Sequence, residues 1–297
     1  MSSYKEIKVD IDGAVATITF NRPNALNTLN EGMHVELLDA LKELDPGDDV
    51  RVIRLKGEGR AFCAGGDMAS IYGKYFEKVP PKGDNAWELG ESRPFTDRIW
   101  LRTLADRHLW LWSYRKPVVA QVHGYCLGAG IELIGCCDAV FAAANTRLGH
   151  PPSRAHGIPV TIGQWPIKIG SLKAKELLFT GDMIEAPEAG RLGMINASVA
   201  PEDLDAHTMA FCRRIAHVPL DALTTVKHLV NRWDENAGAR TSVYSGVDFN
   251  TLYHTTPAFD RFIEIAAKDG LAAALAWRDA PFKKADAEKK EKQGATS

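Results

Sequence analysis

Three glycine-bearing segments of this sequence hold the groups best suited to chemistry. In Arg60-Ala-Phe-Cys-Ala-Gly-Gly-Asp67, the glycines fall between a strand pattern and the short helical pattern Met68 to Tyr72. There they let the chain turn sharply and let a ligand come close to the main chain. Gly66 offers its N–H outward, and Asp67 stands at the helix start, where a carboxylate caps free N–H groups. The plainer reading is a strand-to-helix turn with an aspartate cap.

In the second segment, His123-Gly-Tyr-Cys-Leu-Gly-Ala-Gly-Ile-Glu132, a strand opens into an apolar helix. The first N–H groups of a helix have no intrahelical partner and sit at the positive end of its dipole, so Ala129 is placed to donate to an anionic oxygen. Glu132 follows three residues later on the same face. Because helical side chains lean toward the N-terminus, its carboxyl points toward the space in front of Ala129. The competing reading is a glycine-rich helix packed tightly on a strand, with Glu132 stabilising the dipole. A carboxylate between Ile131 and Leu133-Ile134 favours function.

The third segment, Leu148-Gly-His-Pro-Pro-Ser-Arg-Ala-His-Gly-Ile-Pro159, is a loop by composition. It offers His150, Ser153, Arg154 and His156 as acids, bases or anion contacts, and each is equally an ordinary polar loop residue. The third glycine of a dinucleotide fingerprint is absent, as are the Gly-Lys-Ser/Thr of a phosphate loop, a Gly-x-Ser-x-Gly elbow and a His-Glu-x-x-His metal motif.

The elements that must position these segments alternate. Ile7 to Ile11 and Val15 to Phe20 read as strands around the turn Asp12-Gly13. Leu29 to Leu44 has helical spacing, with Asn30 as a candidate N-cap, and Val50 to Leu55 returns to strand. Pro117 to Val122 and Ala139 to Ala143 are strands on either side of a helix over 128–136. Residues 73–97 show little periodicity and read as a surface insertion or mobile loop. Beyond about residue 160 helices follow one another, over 172–179, 187–192, 201–217, 219–233, 257–268 and 270–277, several behind an initial proline. The tail 283–297 is charged and expected to be frayed or disordered.

With 297 residues, 45% hydrophobic and 25% charged, the chain has the composition of a soluble globular enzyme and can bury a sizeable core. A net charge of −2 gives no overall footprint for nucleic acid or anionic membrane. Cys63, Cys126, Cys136, Cys137 and Cys212 lie in apolar runs without metal-ligand spacing and read as reduced core thiols. No signal peptide and no apolar run near the ~20 residues of a membrane span is present, so a cytoplasmic location is the default. Trp100, Trp110, Trp112 and Trp165 are candidates to shape a pocket or to fill the core.

Taken in order, six pieces of the chain resemble the crotonase superfamily, the enoyl-CoA hydratase/isomerase family. They are Asn21-Arg-Pro-Asn-Ala-Leu-Asn27, Ala61 to Asp67, Lys116-Pro-Val-Val-Ala-Gln-Val-His-Gly124, Leu127-Gly-Ala-Gly-Ile-Glu132, Cys137-Asp138 and Ala276-Trp-Arg-Asp-Ala-Pro-Phe282. The resemblance implies an α/β fold, a crotonase-like spiral of stacked ββα turns over 1–200. A helical C-terminal trimerisation region follows over 201–282, assembled as a homotrimer or a dimer of trimers. It implies that Arg22, Ala25, Leu26, Ala64, Gly65, Asp67, Met68 and Gly128 line the coenzyme-A and substrate site, and that Gly66 and Ala129 are the oxyanion pair.

In hydratases of this family two glutamates hold a water. The first falls on Glu132, whereas the second falls on Pro152, which can be neither acid nor base. The resemblance therefore implies an enoyl-CoA hydratase-type lyase using Glu132 as general acid/base, with His150 or His156 as candidates to assist. Coenzyme A is part of the substrate and no separate cofactor or metal is called for. The alternative is a sister reaction on the same enolate: thioester hydrolysis, carbon–carbon cleavage, decarboxylation or isomerisation. A non-catalytic acyl-CoA-binding scaffold ranks third, because retaining Glu132 beside two oxyanion donors is costly for binding alone.

Overall fold

The computed structural model describes residues 2–68, 70 and 93–294. Strands β1 (Ile7–Asp12) and β2 (Val15–Phe20) form the expected antiparallel hairpin. Helix α1 (Glu31–Glu43) follows, its first turn capped by Asn30, whose side chain accepts a hydrogen bond from the Met33 N–H at 2.8 Å. Next come β3 (Val52–Gly57), α2 (Arg93–Trp112), β4 (Val118–Val122), β5 (Tyr125–Leu127), α3 (Ala129–Gly135), β6 (Ala139–Ala143) and β7 (Arg147–Gly149). The chain continues through α4 (Gln164–Ile169), α5 (Ser171–Thr180), β8 (Met183–Glu185), α6 (Ala186–Arg191) and β9 (Ala197–Val199). It ends in five helices, α7 (Leu204–Ile215), α8 (Leu220–Asn236), α9 (Ala239–Tyr253), α10 (Pro257–Asp269) and α11 (Leu271–Gly294).

A six-stranded sheet runs β1-β2-β3-β4-β6-β9, and every pairing after the hairpin is parallel. Strands covered on both faces become near-continuous apolar runs, and β2, β4 and β6 are buried along their whole length. Their side chains alternate between two clusters. Ile18, Ile53, Leu55, Val118 and Ala120 face the main core, whereas Val15, Val52, Val119 and Phe141 face Leu204 and Cys212 of α7. All five cysteines are free and buried. Within this α/β architecture, Asp138 ties the elements together. Its carboxylate accepts hydrogen bonds from the Val118 N–H and from Lys227 Nζ, each at 2.7 Å.

A smaller sheet, β5-β7-β8, positions the site. Leu127 of β5 pairs with Gly149 of β7, so the segments that continue from these strands leave side by side. Isolated bridges Leu29 to Gly66 and Cys63 to Cys126 extend the same pairing to the first glycine segment. Backbone hydrogen bonding thus joins three stretches that are remote in sequence.

Three expectations change. The insertion expected over 73–97 lies outside the described residues as far as 92, but from Arg93 the chain is already α2. Charged and aromatic residues interleave along α2, so its apolar positions Leu101, Ala105 and Leu109 do not make a clean stripe in sequence. The tail from Lys283, expected to be frayed or disordered, is helical as far as Gly294. Its Ala, Lys and Glu content has high intrinsic helix propensity, which needs no apolar face. Helix α9 and the three-residue strands β8 and β9 also went unanticipated, the strands being too short to display a period.

Candidate active site

The glycine segments meet where close backbone approach demands glycine. Gly65 has φ 120° and Gly128 φ 51°, both in the left-handed half of the map. A Cβ on Gly128 would lie 3.6 Å from the Gly65 Cα and 3.4 Å from Pro152 Cγ, so the three segments touch at this point. A Cβ on Gly130 would collide with the Cys63 carbonyl oxygen at 2.5 Å. Among the described residues no backbone acceptor receives the N–H of Gly66 or of Ala129. Ala129 is the first residue of α3, where no carbonyl lies one turn earlier in the helix.

In front of these donors lies a cavity of about 340 Å3, lined by Gly66, Met68, Ala129, Glu132, His150 and Pro152 among others. Glu132 is only 7% exposed. Its Oε2 accepts hydrogen bonds from the Thr161 N–H at 2.8 Å and from the Thr161 hydroxyl at 3.0 Å. Oε1 faces His150 Nε2 at 3.7 Å, too far for a hydrogen bond. Burial alone would push the Glu132 carboxyl up, but His150, His108 and the Thr161 N–H outweigh it and hold the group below the usual carboxylate range. It is therefore an ionised, oriented carboxylate with one oxygen uncommitted.

The loop behind it sorts its candidates. His150 is buried, with Nδ1 2.9 Å from the Ser153 hydroxyl, so its ring is held with Nε2 toward Glu132. His156 stacks on Phe262 with ring centroids 4.4 Å apart. Burial, reinforced by Arg278, drives its imidazole well below the usual histidine range and leaves it neutral. Arg154 is a clamp: it pairs with Asp182 at 2.9 Å and Asp279 at 3.0 Å and lies 4.0 Å over the Phe282 ring. The terminal motif Ala276 to Phe282 thus holds the loop that carries His150 and Pro152.

Around the first segment, Arg22 is engaged within the fold. Its guanidinium pairs with Asp67 at 2.8 Å and with Glu6 at 3.0 Å. Burial works to raise the Asp67 carboxyl, yet Arg22 and the Ser70 N–H keep it below the ordinary range. Leu26 and Asn27 both adopt left-handed φ, 51° and 54°. Such strain in non-glycine residues persists only where the surroundings fix it. Here the Asn27 side chain does so, donating to the carbonyls of Glu58 and Ala61 and accepting from the Arg22 N–H.

Sequence reading missed Thr161, His34, His108 and the buried pair Asp97–His254, whose Nδ1 and Oδ2 are 2.8 Å apart. All but Thr161 and Asp97 line the cavity. A histidine outside a recognisable motif carries no local signal. Of the tryptophans, Trp100 lines the cavity, whereas Trp112 and Trp165 are core residues and Trp110 packs against Tyr114.

A carboxylate oriented in a cavity, at the junction of a parallel-sheet spiral and two glycine turns whose N–H groups meet no backbone acceptor among the described residues, defines a protein of the crotonase superfamily. Residues 10–264 match the family described as Enoyl-CoA hydratase/isomerase. The chain is 33% identical over 287 residues to a probable enoyl-CoA hydratase of Rhizobium meliloti (strain 1021), covering 95% of this chain and 99% of the relative. It is 32% identical over 228 residues to the 1,2-epoxyphenylacetyl-CoA isomerase of Escherichia coli (strain K12), covering 76% and 82%. The crystal structure of an enoyl-CoA hydratase from Mycobacterium smegmatis superposes with a TM-score of 0.83 at 31% identity, covering 93% and 94%. The chain belongs to the enoyl-CoA hydratase/isomerase family.

Proposed function

We propose that the protein is an enoyl-CoA hydratase-type lyase. The thioester carbonyl oxygen sits between the N–H groups of Gly66 and Ala129, which are worth several kcal/mol to the enolate oxygen. Glu132 takes a proton from water as its oxygen bonds to the β-carbon. The double-bond pair moves onto the thioester as an enolate, and proton delivery to the α-carbon completes the addition. His150, 3.7 Å from Glu132, assists in place of the absent second glutamate. Coenzyme A lies along Arg22, Ala25 and Leu26 and the Ala64 to Met68 turn, where Arg22 holds the loop through Asp67 and Glu6. The observation that carries this reading is the buried Glu132 carboxylate in one cavity with two backbone donors that meet no backbone acceptor among the described residues.

Pro152 favours a second reading, because it lines the same cavity with no titratable group. Thioester hydrolysis, carbon–carbon cleavage, decarboxylation or isomerisation would use the same enolate without a second carboxylate. Loss of the conjugated enoyl-thioester absorbance separates the two. Turnover of crotonyl-CoA or of longer or branched enoyl-CoAs is expected for the hydratase, and none across that panel, with coenzyme A still bound, would leave the second reading standing.

A further inference from the structure

The wall that α9 gives to the acyl cavity carries a carboxamide. Val243, Gly246, Val247 and Asn250 recur at spacings of three and four residues and form the buried face of α9, while Phe249 and Leu252 on its other face are exposed. Asn250 is 4% exposed and lines the cavity. Its Oδ1 accepts a hydrogen bond from the Ile158 N–H at 3.0 Å, and because a donor calls for the oxygen, this bond fixes which end of the amide is which. Ile158 lines the cavity as well, so the amide stands in the cavity wall.

Nδ2 of Asn250 carries two N–H donors. It meets no acceptor among the described residues, and unlike Nε2 of His108 it is not sealed from accessible space. On the buried face of α9 that space is the cavity. A plain hydrocarbon chain laid against Nδ2 would strip water from its donors and give nothing back, which carries a desolvation penalty. Charge narrows the group that fits. Glu31, paired with Arg107, and the ionised Glu132 line the cavity, and among the described residues no lysine or arginine does. Burial lowers His34 to about 3 and drives His156 well below the usual range, so these two wall residues are neutral. An anionic group would share the cavity with the Glu132 carboxylate. A carbonyl oxygen is uncharged and only accepts, the complement of an amide nitrogen that only donates.

We propose that the acyl group accepted by this cavity carries an uncharged carbonyl oxygen beyond the thioester, which accepts a hydrogen bond from Nδ2 of Asn250. This rests on the reading of the cavity as the acyl site of a coenzyme-A thioester. Asn250 is then a specificity residue, and the chemistry stays with Glu132.

The test measures affinity by calorimetry with saturated thioesters, which lack the double bond that hydration needs. The 4-, 5-, 6- and 7-oxooctanoyl thioesters of coenzyme A are compared with octanoyl-CoA, so that the carbonyl is moved along the chain past Asn250. At least one oxo isomer is expected to bind about ten-fold more tightly than octanoyl-CoA. In Asn250→Leu, which keeps the bulk and deletes the donors, that isomer and octanoyl-CoA should come within about two-fold of each other. Asn250→Ala serves if the leucine variant does not fold, and the wild-type comparison stands without either. Octanoyl-CoA binding with no preference for any oxo isomer would overturn this inference alone, as would a preference that survives in a folded variant. Tighter binding of suberyl-CoA, which ends in a carboxylate, would overturn it too. Binding of none of these thioesters would sink the acyl-CoA reading and this inference with it.

Discussion

Thr161 holds a single oxygen of the Glu132 carboxylate twice, through its backbone N–H at 2.8 Å and its hydroxyl at 3.0 Å, from 29 residues further along the chain. Charge-assisted bonds of this kind are stronger than neutral ones and fix the carboxylate plane. The other oxygen is left to face the cavity and His150.

Substituting Glu132→Gln keeps the shape and removes the proton-transfer group. Turnover should fall by roughly 10²–10⁴ with little change in affinity for coenzyme A. Steady-state kinetics paired with calorimetry checks both halves, and an active glutamine variant would remove Glu132 from the chemistry.

Loss of the Thr161 hydroxyl leaves its N–H in place. In Thr161→Val, kcat should drop about ten-fold and KM much less, since one of two restraints on the carboxylate is gone. A change confined to KM would place Thr161 in binding instead.

Ala129 begins α3, the helical position where proline is best tolerated, because its N–H is one of the unpaired ones and the fixed φ of proline suits a helix start. Ala129→Pro therefore deletes one proposed oxyanion donor while sparing the helix. The expected loss in kcat is about 10²–10³ with the melting temperature largely retained. An unaffected kcat would show that this N–H does not meet the developing charge.

Acid should destabilise the fold through its buried histidines. Burial, with His108 and Arg107 nearby, lowers the His34 value from 6.5 to about 3, and His156 is also driven well below 6.5. Folded values below the unfolded ones mean that the unfolded chain binds protons first. The stabilisation is complete above 6.5 and is lost as pH falls from there toward 3. Each such histidine contributes at most about 1.4 kcal/mol per pH unit. Thermal melts between about pH 7 and pH 5 should show the decline, and His34→Leu should make it shallower.

On α8 and α9, Val226, Leu229, Val230, Trp233, Phe249 and Leu252 are exposed. Such a patch on helices calls for a covering surface, and we propose that copies of the chain supply it. Light scattering should give three or six times 32.6 kDa, and charged substitutions at Leu229 and Trp233 should reduce it. A monomer at micromolar concentration would contradict the proposal.

Local physics settled a good deal of this protein in advance. Period-two and fully apolar runs marked β1 to β4 and β6, because strands in a doubly covered sheet must be apolar whatever their neighbours. Asn30 and the glycines at 65, 66 and 128 were legible because caps and left-handed turns depend on residue type at a fixed offset. Glu132 stood out as a carboxylate inside an apolar helix. Partners supplied from elsewhere were not legible. Thr161, His108 and the clamp of Arg154 on Asp279 act across 29, 24 and 125 residues of chain. Parallel crossovers and the small β5-β7-β8 sheet bring them together. Tertiary structure also divided two histidines that look alike in sequence. His150 turns toward Glu132, and His156 is buried neutral against Phe262. Orientation and desolvation depend on what packs around a side chain, and that is fixed only once the helices of the C-terminal third close over the loop.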